Sequence, residues 1–293
     1  MMKKVFITGI TSSIIQQLIP FINSSEYQII GLSRNLISEK NDAIKIIQGN
    51  IQNPNTYKKY LIDCDIIIHA AAITHSKNEK KYEEINFIAT KNLIDFAKKW
   101  KVKTFIYISS NTANLNNGAY SKSKVLAENY LQNNFKRWKI IRISEIFGGA
   151  KNEGLEKLIQ NSLKKKFVLY PKNMSSKFSP LYIDDIGTLL YEQIFINQEK
   201  NKIFHINGNE HFTFKEILKL IKKNQKKSLI ALGVSRNIMF LIMRISKIIP
   251  FNIGVVPDQI ERLYGLKTYG IIDDKNITLK LESYLKKISK KII

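Results

Sequence analysis

The sequence holds one cysteine, Cys64, in 293 residues. That excludes a disulfide framework and a cysteine-built zinc site, and makes a reducing cytoplasm the expected compartment. Its histidines, His69, His75, His205 and His211, show no metal-ligand spacing, so no metal is assigned. No apolar run is long enough to span a bilayer, because Arg244 and Lys247 interrupt the greasiest region. The opening MMKKVFITG runs straight into a strand pattern, so no cleavable signal peptide is expected. Arginine is scarce as well: 6 Arg stand against 41 Lys, within a net charge of +23. The lysines scatter over most helices, with short clusters at 164–166 and 222–227. Such scatter reads as solvated faces and compositional bias, so no specific nucleic-acid partner is assigned.

What is present is an alternation of strand and helix. Lys4 to Thr8 is a β-branched run closed by Gly9, and a helical pattern (Ile15, Leu18, Ile19, Ile22) follows. A strand, a tight turn and a helix N-terminus form the setting for a pyrophosphate, because free N–H groups point at the anion. The loop departs from G-x-x-G-x-x-G, with Ser12 and Ile15 at the second and third glycine positions. Serine is small and can donate to phosphate, whereas Ile15 obstructs close helix–strand packing. Strands are also expected at 28–33, 44–48, 65–72, 104–108 and 139–144, with an amphipathic helix from Tyr82 to Trp100. Arg34 ends the second strand, where an acidic residue holds the ribose of NAD and an arginine suits the 2′-phosphate of NADP. NADP is therefore favoured over NAD. His69, at the end of a buried strand, reads as structural.

Tyr120 and Lys124 lie four apart in a helical run, one turn apart on one face. A phenol loses its proton near pH ~10. A neighbouring lysine cation favours the phenolate and suits the pair to general acid/base work. Ser110 ends the strand ten residues earlier. After residue 150 the pattern is less regular. Helices are expected at 155–165, after Asp184 as cap, after Thr213 as cap, at 238–249, and after Asp274. The helix at 238–249 reads as a lid or a subunit interface, with weak membrane-surface contact as the other option.

The ordered set Thr8-Gly9-x-Thr11-x-x-Ile14, Gly49-Asn50-Ile51, Asp65 to Ala72, Asn86, Tyr107 to Ser110, Tyr120-x-x-x-Lys124 and Tyr182 to Asp185 resembles the extended short-chain dehydrogenase/reductases. These are the NAD-dependent epimerase/dehydratase group that modifies nucleotide sugars, and the resemblance covers residues 3–223. It implies an α/β fold: a Rossmann-type doubly wound parallel sheet with a smaller, mostly helical C-terminal lobe. The expected division is 1–165 for the dinucleotide and 166–293 for the substrate, with about 181–207 returning to the first part. Implied catalytic residues are Ser110, Tyr120 and Lys124. Implied cofactor contacts are Gly9, Thr11, Ser12, Ser13 and Ile14 at the pyrophosphate, Arg34 at the ribose, and Asn50 and Ile51 at the adenine. Ala70, Ala71, Ala72 and Thr74 follow along the cofactor's middle, and Asn86 braces the site. Glu145 stands where family members contact the sugar nucleotide. The implied activity is an epimerase or 4-ketosugar reductase on a UDP- or dTDP-linked sugar, with a homodimer as a compatible assembly. A non-catalytic dinucleotide sensor of the same fold is the alternative.

Overall fold

The computed structural model describes residues 2–35, 44–149, 154–164, 166–174, 176–225, 229–241, 257–271 and 277–290. Its organising element is a seven-stranded sheet in the order β3-β2-β1-β4-β5-β6-β10, with every pairing parallel. The strands are β1 (Lys3–Thr8), β2 (Tyr27–Ser33), β3 (Ile44–Gln48), β4 (Ile66–His69), β5 (Thr104–Ser110), β6 (Trp138–Ile143) and β10 (Lys202–Ile206). The order reverses at β1, which makes the carboxyl ends of β1 and β4 a topological switch point.

The near-continuous apolar runs follow from this burial on both faces. In β1, Phe6 enters one core while Val5 and Ile7 enter the other. The first core is closed by α3 (Ala89–Lys99) through Leu93, Ile94 and Ala97. Ala127 and Leu131 of α4 (Gly118–Asn134) join it there. The second is closed by α1 (Ser13–Leu18) and α6 (Asp185–Tyr191), through Ile15, Leu18, Ile186, Leu189 and Leu190. Each such side chain, once buried, contributes about 1.5–3 kcal/mol. The expected Tyr82–Trp100 helix is continuous in α2 (Lys80–Tyr82), a π-helical turn (Glu83–Ile88) and α3.

Beyond β6, two short strands pair in parallel, β7 (Ile146–Phe147) with β9 (Leu181–Tyr182). A separate ribbon pairs β8 (Phe167–Pro171) with β11 (Ile230–Val234). The helices α5 (Gly154–Lys164), α7 (Phe214–Asn224) and α9 (Leu281–Ser289) share a third core with Phe147 and Phe178. Thr213 caps α7 in a full capping box with Glu216. Asp184 behaves differently from expectation. It stands at the N-cap of α6, but its backbone is already helical and its side chain makes no capping bond. Residues 236–241 are helical, while 242–249 of the expected greasy helix, and Asp274, lie outside the described residues. Among the described residues, no helix is long and apolar enough to cross a membrane.

Candidate active site

The turn after β1 is shaped by proximity to β4. Gly9 has φ +68°, and a Cβ there would stand 2.7 Å from the Ala71 nitrogen. Glycine is therefore required twice, for its conformation and for its space. Ser12 caps α1, its hydroxyl accepting from the Ile15 N–H at 3.3 Å. Thr11 is exposed and Ser13 and Ile14 are half-buried. Ile15 is fully buried in the core under α1. Close packing on this helix is supplied from elsewhere: a Cβ on Gly187 of α6 would stand 2.2 Å from the Gln17 carbonyl oxygen. A core side chain thus stands at the third glycine position of the motif, and Gly187 serves the separate contact between α6 and α1.

At the end of β4, His69 is completely buried between the Thr8 hydroxyl at 2.5 Å and the Thr90 hydroxyl at 2.7 Å. Burial, aided by the Lys124 charge, pushes its pKa down to about 3. A neutral, hydrogen-bonded imidazole at this depth is a structural group. Because the unfolded chain binds a proton that the folded chain refuses, His69 costs stability as pH falls from 6.5 towards 3. Acid titration of stability should therefore be shallower in His69→Gln than in the parent over that window. A urea series at pH 4.5 and 7 checks this.

The following loop presents Ala70 and Ala71 half-buried and Ala72 and Thr74 exposed. Asn86 holds it: its amide exchanges two bonds with Ile73, at 2.9 and 3.0 Å, and donates to Ser123 at 3.2 Å. One buried side chain thereby ties the loop to α4. Arg34 is exposed at the end of β2. Asn50 is exposed beyond β3, while the Ile51 side chain lies in the first core.

Helix α4 begins at Gly118 and carries Tyr120 and Lys124 on its buried face. Ser110, at the end of β5, lies near enough to the Tyr120 phenol to favour its ionised form. Ser110 is itself 2.9 Å from the Thr112 hydroxyl. Burial raises the Tyr120 pKa, while the Arg262 charge and the nearby Ser110 hydroxyl oppose that rise. Lys124 donates to the Ile108 carbonyl at 2.7 Å and sits 4.1 Å over the Tyr107 ring. Burial lowers its pKa to about 7, against the pull of Glu128. The cation over the Tyr120 ring is Arg262, its guanidinium carbon 4.5 Å from the ring centroid.

Arg262 belongs to α8 (Pro257–Tyr264), which the sequence reading passed over. A signal existed: Asp258 and Arg262 form an i,i+4 opposite-charge pair on a short amphipathic run. Lys267 was also missed. It is paired with Glu145 at 2.6 Å, and Tyr269 donates to the same carboxylate at 3.4 Å. Glu145 thus anchors the chain after α8 across the end of β6.

The arrangement can handle a proton at the carboxyl end of β5, beside a glycine turn and a small-residue loop at the switch point. The dinucleotide fold also shows in the sequence profile of the NAD dependent epimerase/dehydratase family, which matches residues 5–206. The chain belongs to that family. It is similar to sterol-4-alpha-carboxylate 3-dehydrogenase, decarboxylating, of Dictyostelium discoideum, 24% identical with 98% of each chain covered. Against two other curated relatives it spans about half their length, 47% of one and 49% of the other. Among solved structures, a Tyr-to-Phe mutant of UDP-glucuronic acid 4-epimerase from Bacillus cereus, in complex with NAD, superposes with a TM-score of 0.71. It is 18% identical, over 99% of this chain and 100% of that one. dTDP-4-dehydrorhamnose reductase from Bacillus anthracis, in complex with NADP, gives 0.63 at 21% identity, over 82% and 86%. At these identities the likeness is one of fold. Both structures hold a nicotinamide dinucleotide.

Proposed function

We propose that this chain is an NAD(P)-dependent enzyme that moves a hydride and a proton at one carbon of a nucleotide-linked sugar. The observation that carries this is the gathering of Ser110 at the end of β5 with Tyr120 and Lys124 on the buried face of α4, at the carboxyl end of the sheet. The described residues fit a dinucleotide. Gly9 brings the β1 turn against the β4 loop, and no large side chain stands at Ala70, Ala71 or Ala72. Gly9, Thr11, Ser12, Ser13 and Ile14 would line the pyrophosphate, Asn50 and Ile51 the adenine, and Ala70 to Ala72 with Thr74 the middle. Asn86 holds that wall in place. Arg34 favours a 2′-phosphate, hence NADP.

A nicotinamide dinucleotide held by these residues would supply hydride chemistry at the sugar carbon. The protein handles the accompanying proton. Tyr120 gives it to, or takes it from, the sugar oxygen, and Ser110 holds that oxygen in line. Lys124, one turn further along α4, is assigned to favour the phenolate side of the exchange. With a reduced cofactor the outcome would be net reduction of a keto sugar, and with an oxidised one it would be epimerisation of a hydroxyl carbon. Arg34 favours the reductase.

The test is fluorescence titration with NADPH and NADH, then a panel of UDP- and dTDP-sugars and their 4-keto forms. NADPH should bind at least tenfold more tightly than NADH, and Arg34→Ala should narrow that ratio. Failure to bind either cofactor at millimolar concentration would remove the enzyme reading. A sensor with this fold would bind cofactor and leave every sugar unchanged.

A further inference from the structure

We propose that Arg262 is a positioning residue for Tyr120, held over its ring by Asp258, so that α8 completes the proton-handling site from the C-terminal part of the chain. This rests on reading Tyr120 as the acid/base group.

The geometry is specific. Asp258 is 2% exposed, and its Oδ1 accepts the Tyr120 backbone N–H at 2.9 Å. Its other oxygen lies 2.9 Å from Arg262 Nε. The Arg262 Nη2 donates to the Thr74 carbonyl at 2.9 Å. One arginine therefore joins the catalytic helix, the loop after β4 and α8. Two glycines allow α8 to sit there. Gly118 has φ +87°, and a Cβ on it would stand 2.7 Å from Asp258 Oδ1. A Cβ on Gly265 would stand 2.2 Å from the Asn117 side chain. Asn117 in turn donates to the Leu266 carbonyl at 2.5 Å.

The groups facing Tyr120 come from four elements. Ser110 and Tyr107 come from β5, and Tyr82 of α2 meets the ring edge-on at 5.9 Å. Lys124 is on its own helix, turned towards Ile108. Asp258 and Arg262 come from α8. Asp258 opposes ionisation, but its charge is engaged by Arg262 and by the helix N–H. A guanidinium over an aromatic face is favoured by the ring's negative face, and ionising the phenol deepens that attraction. Arg262 thus does from above what the sequence spacing assigned to Lys124 alone.

The test is NMR of the full chain carrying carbon-13 at the tyrosine ζ position. The Tyr120 signal is identified by its loss in Tyr120→Phe. At pH 10.5 the phenolate-to-phenol ratio of Tyr120 should fall about tenfold or more in Arg262→Met. It should hold within twofold in Arg262→Lys. Arg236→Met, which removes an equal charge from an exposed site, should leave it unchanged. Arg262→Gln keeps a donor for Thr74 and gives the same reading if the methionine variant unfolds. An unchanged or higher ratio in the charge-removing variants overturns the proposal, as does the same fall in Arg236→Met. The readout needs no turnover. Full activity in Tyr120→Phe would defeat the proposed function while leaving this result standing.

Discussion

Tyr120→Phe is expected to lower turnover by roughly 10²- to 10⁴-fold while leaving cofactor affinity within about threefold. Phenylalanine keeps the ring that Tyr82 meets edge-on and that Arg262 covers, so the fold around α4 stays in place. Only the hydroxyl is removed, while Ser110 keeps its contact with Thr112. Under the proposed function the lost group is the one that exchanges a proton with the sugar oxygen. A loss confined to the chemical step should therefore appear in kcat rather than in KM. Steady-state kinetics beside a cofactor titration separates the two. Ser110→Ala should act in the same direction with a smaller loss, because the phenol remains.

Glu128→Ala should destabilise the protein by about 3–5 kcal/mol, the largest single effect on folding expected here. The Glu128 side chain is 1% exposed and binds Arg142 through two bonds, at 2.6 and 3.0 Å. It also accepts from the Ser109 hydroxyl at 2.5 Å. Removing it leaves a mostly buried guanidinium and a buried hydroxyl without their acceptor. The consequence reaches the site, since Glu128 is the group that keeps the Lys124 pKa from falling further. A urea melt at neutral pH measures the stability. Lys124 adds a pH signature of its own. Its folded pKa of about 7 lies below the usual lysine value, so the unfolded chain binds more protons between about 7 and 10.5. This contribution makes stability rise with pH across that window, and Lys124→Met should remove it.

Much of the first half was legible because parallel strands buried on both faces read as apolar runs. Gly9 was legible as a tight turn after a strand, and Tyr120 and Lys124 as neighbours on one helix face, whereas the roles expected of them and of Ser110 came from the family resemblance. The environment of Tyr120 was not legible. Arg262 lies 142 positions further along the chain, and nothing local shows that α8 folds back onto α4. Likewise Ile15 reads as obstructive in the sequence, yet its side chain is fully buried in the core beneath α1. Glu145 was read as a sugar contact, but long-range pairing with Lys267 decides its orientation. Local pattern reports which face is buried; it does not report which distant charge arrives there.

The most direct measurement is incubation of the 4-keto sugars with NADPH deuterated at C4, and of the UDP- and dTDP-linked sugars with NAD⁺ or NADP⁺, followed by mass spectrometry and NMR of the sugar. The account predicts one nucleotide sugar that is reduced with deuterium at the reacting carbon or inverted at that carbon, and no such product from Tyr120→Phe. Bound cofactor with every sugar recovered unchanged, or the same product at full rate from Tyr120→Phe, would contradict it.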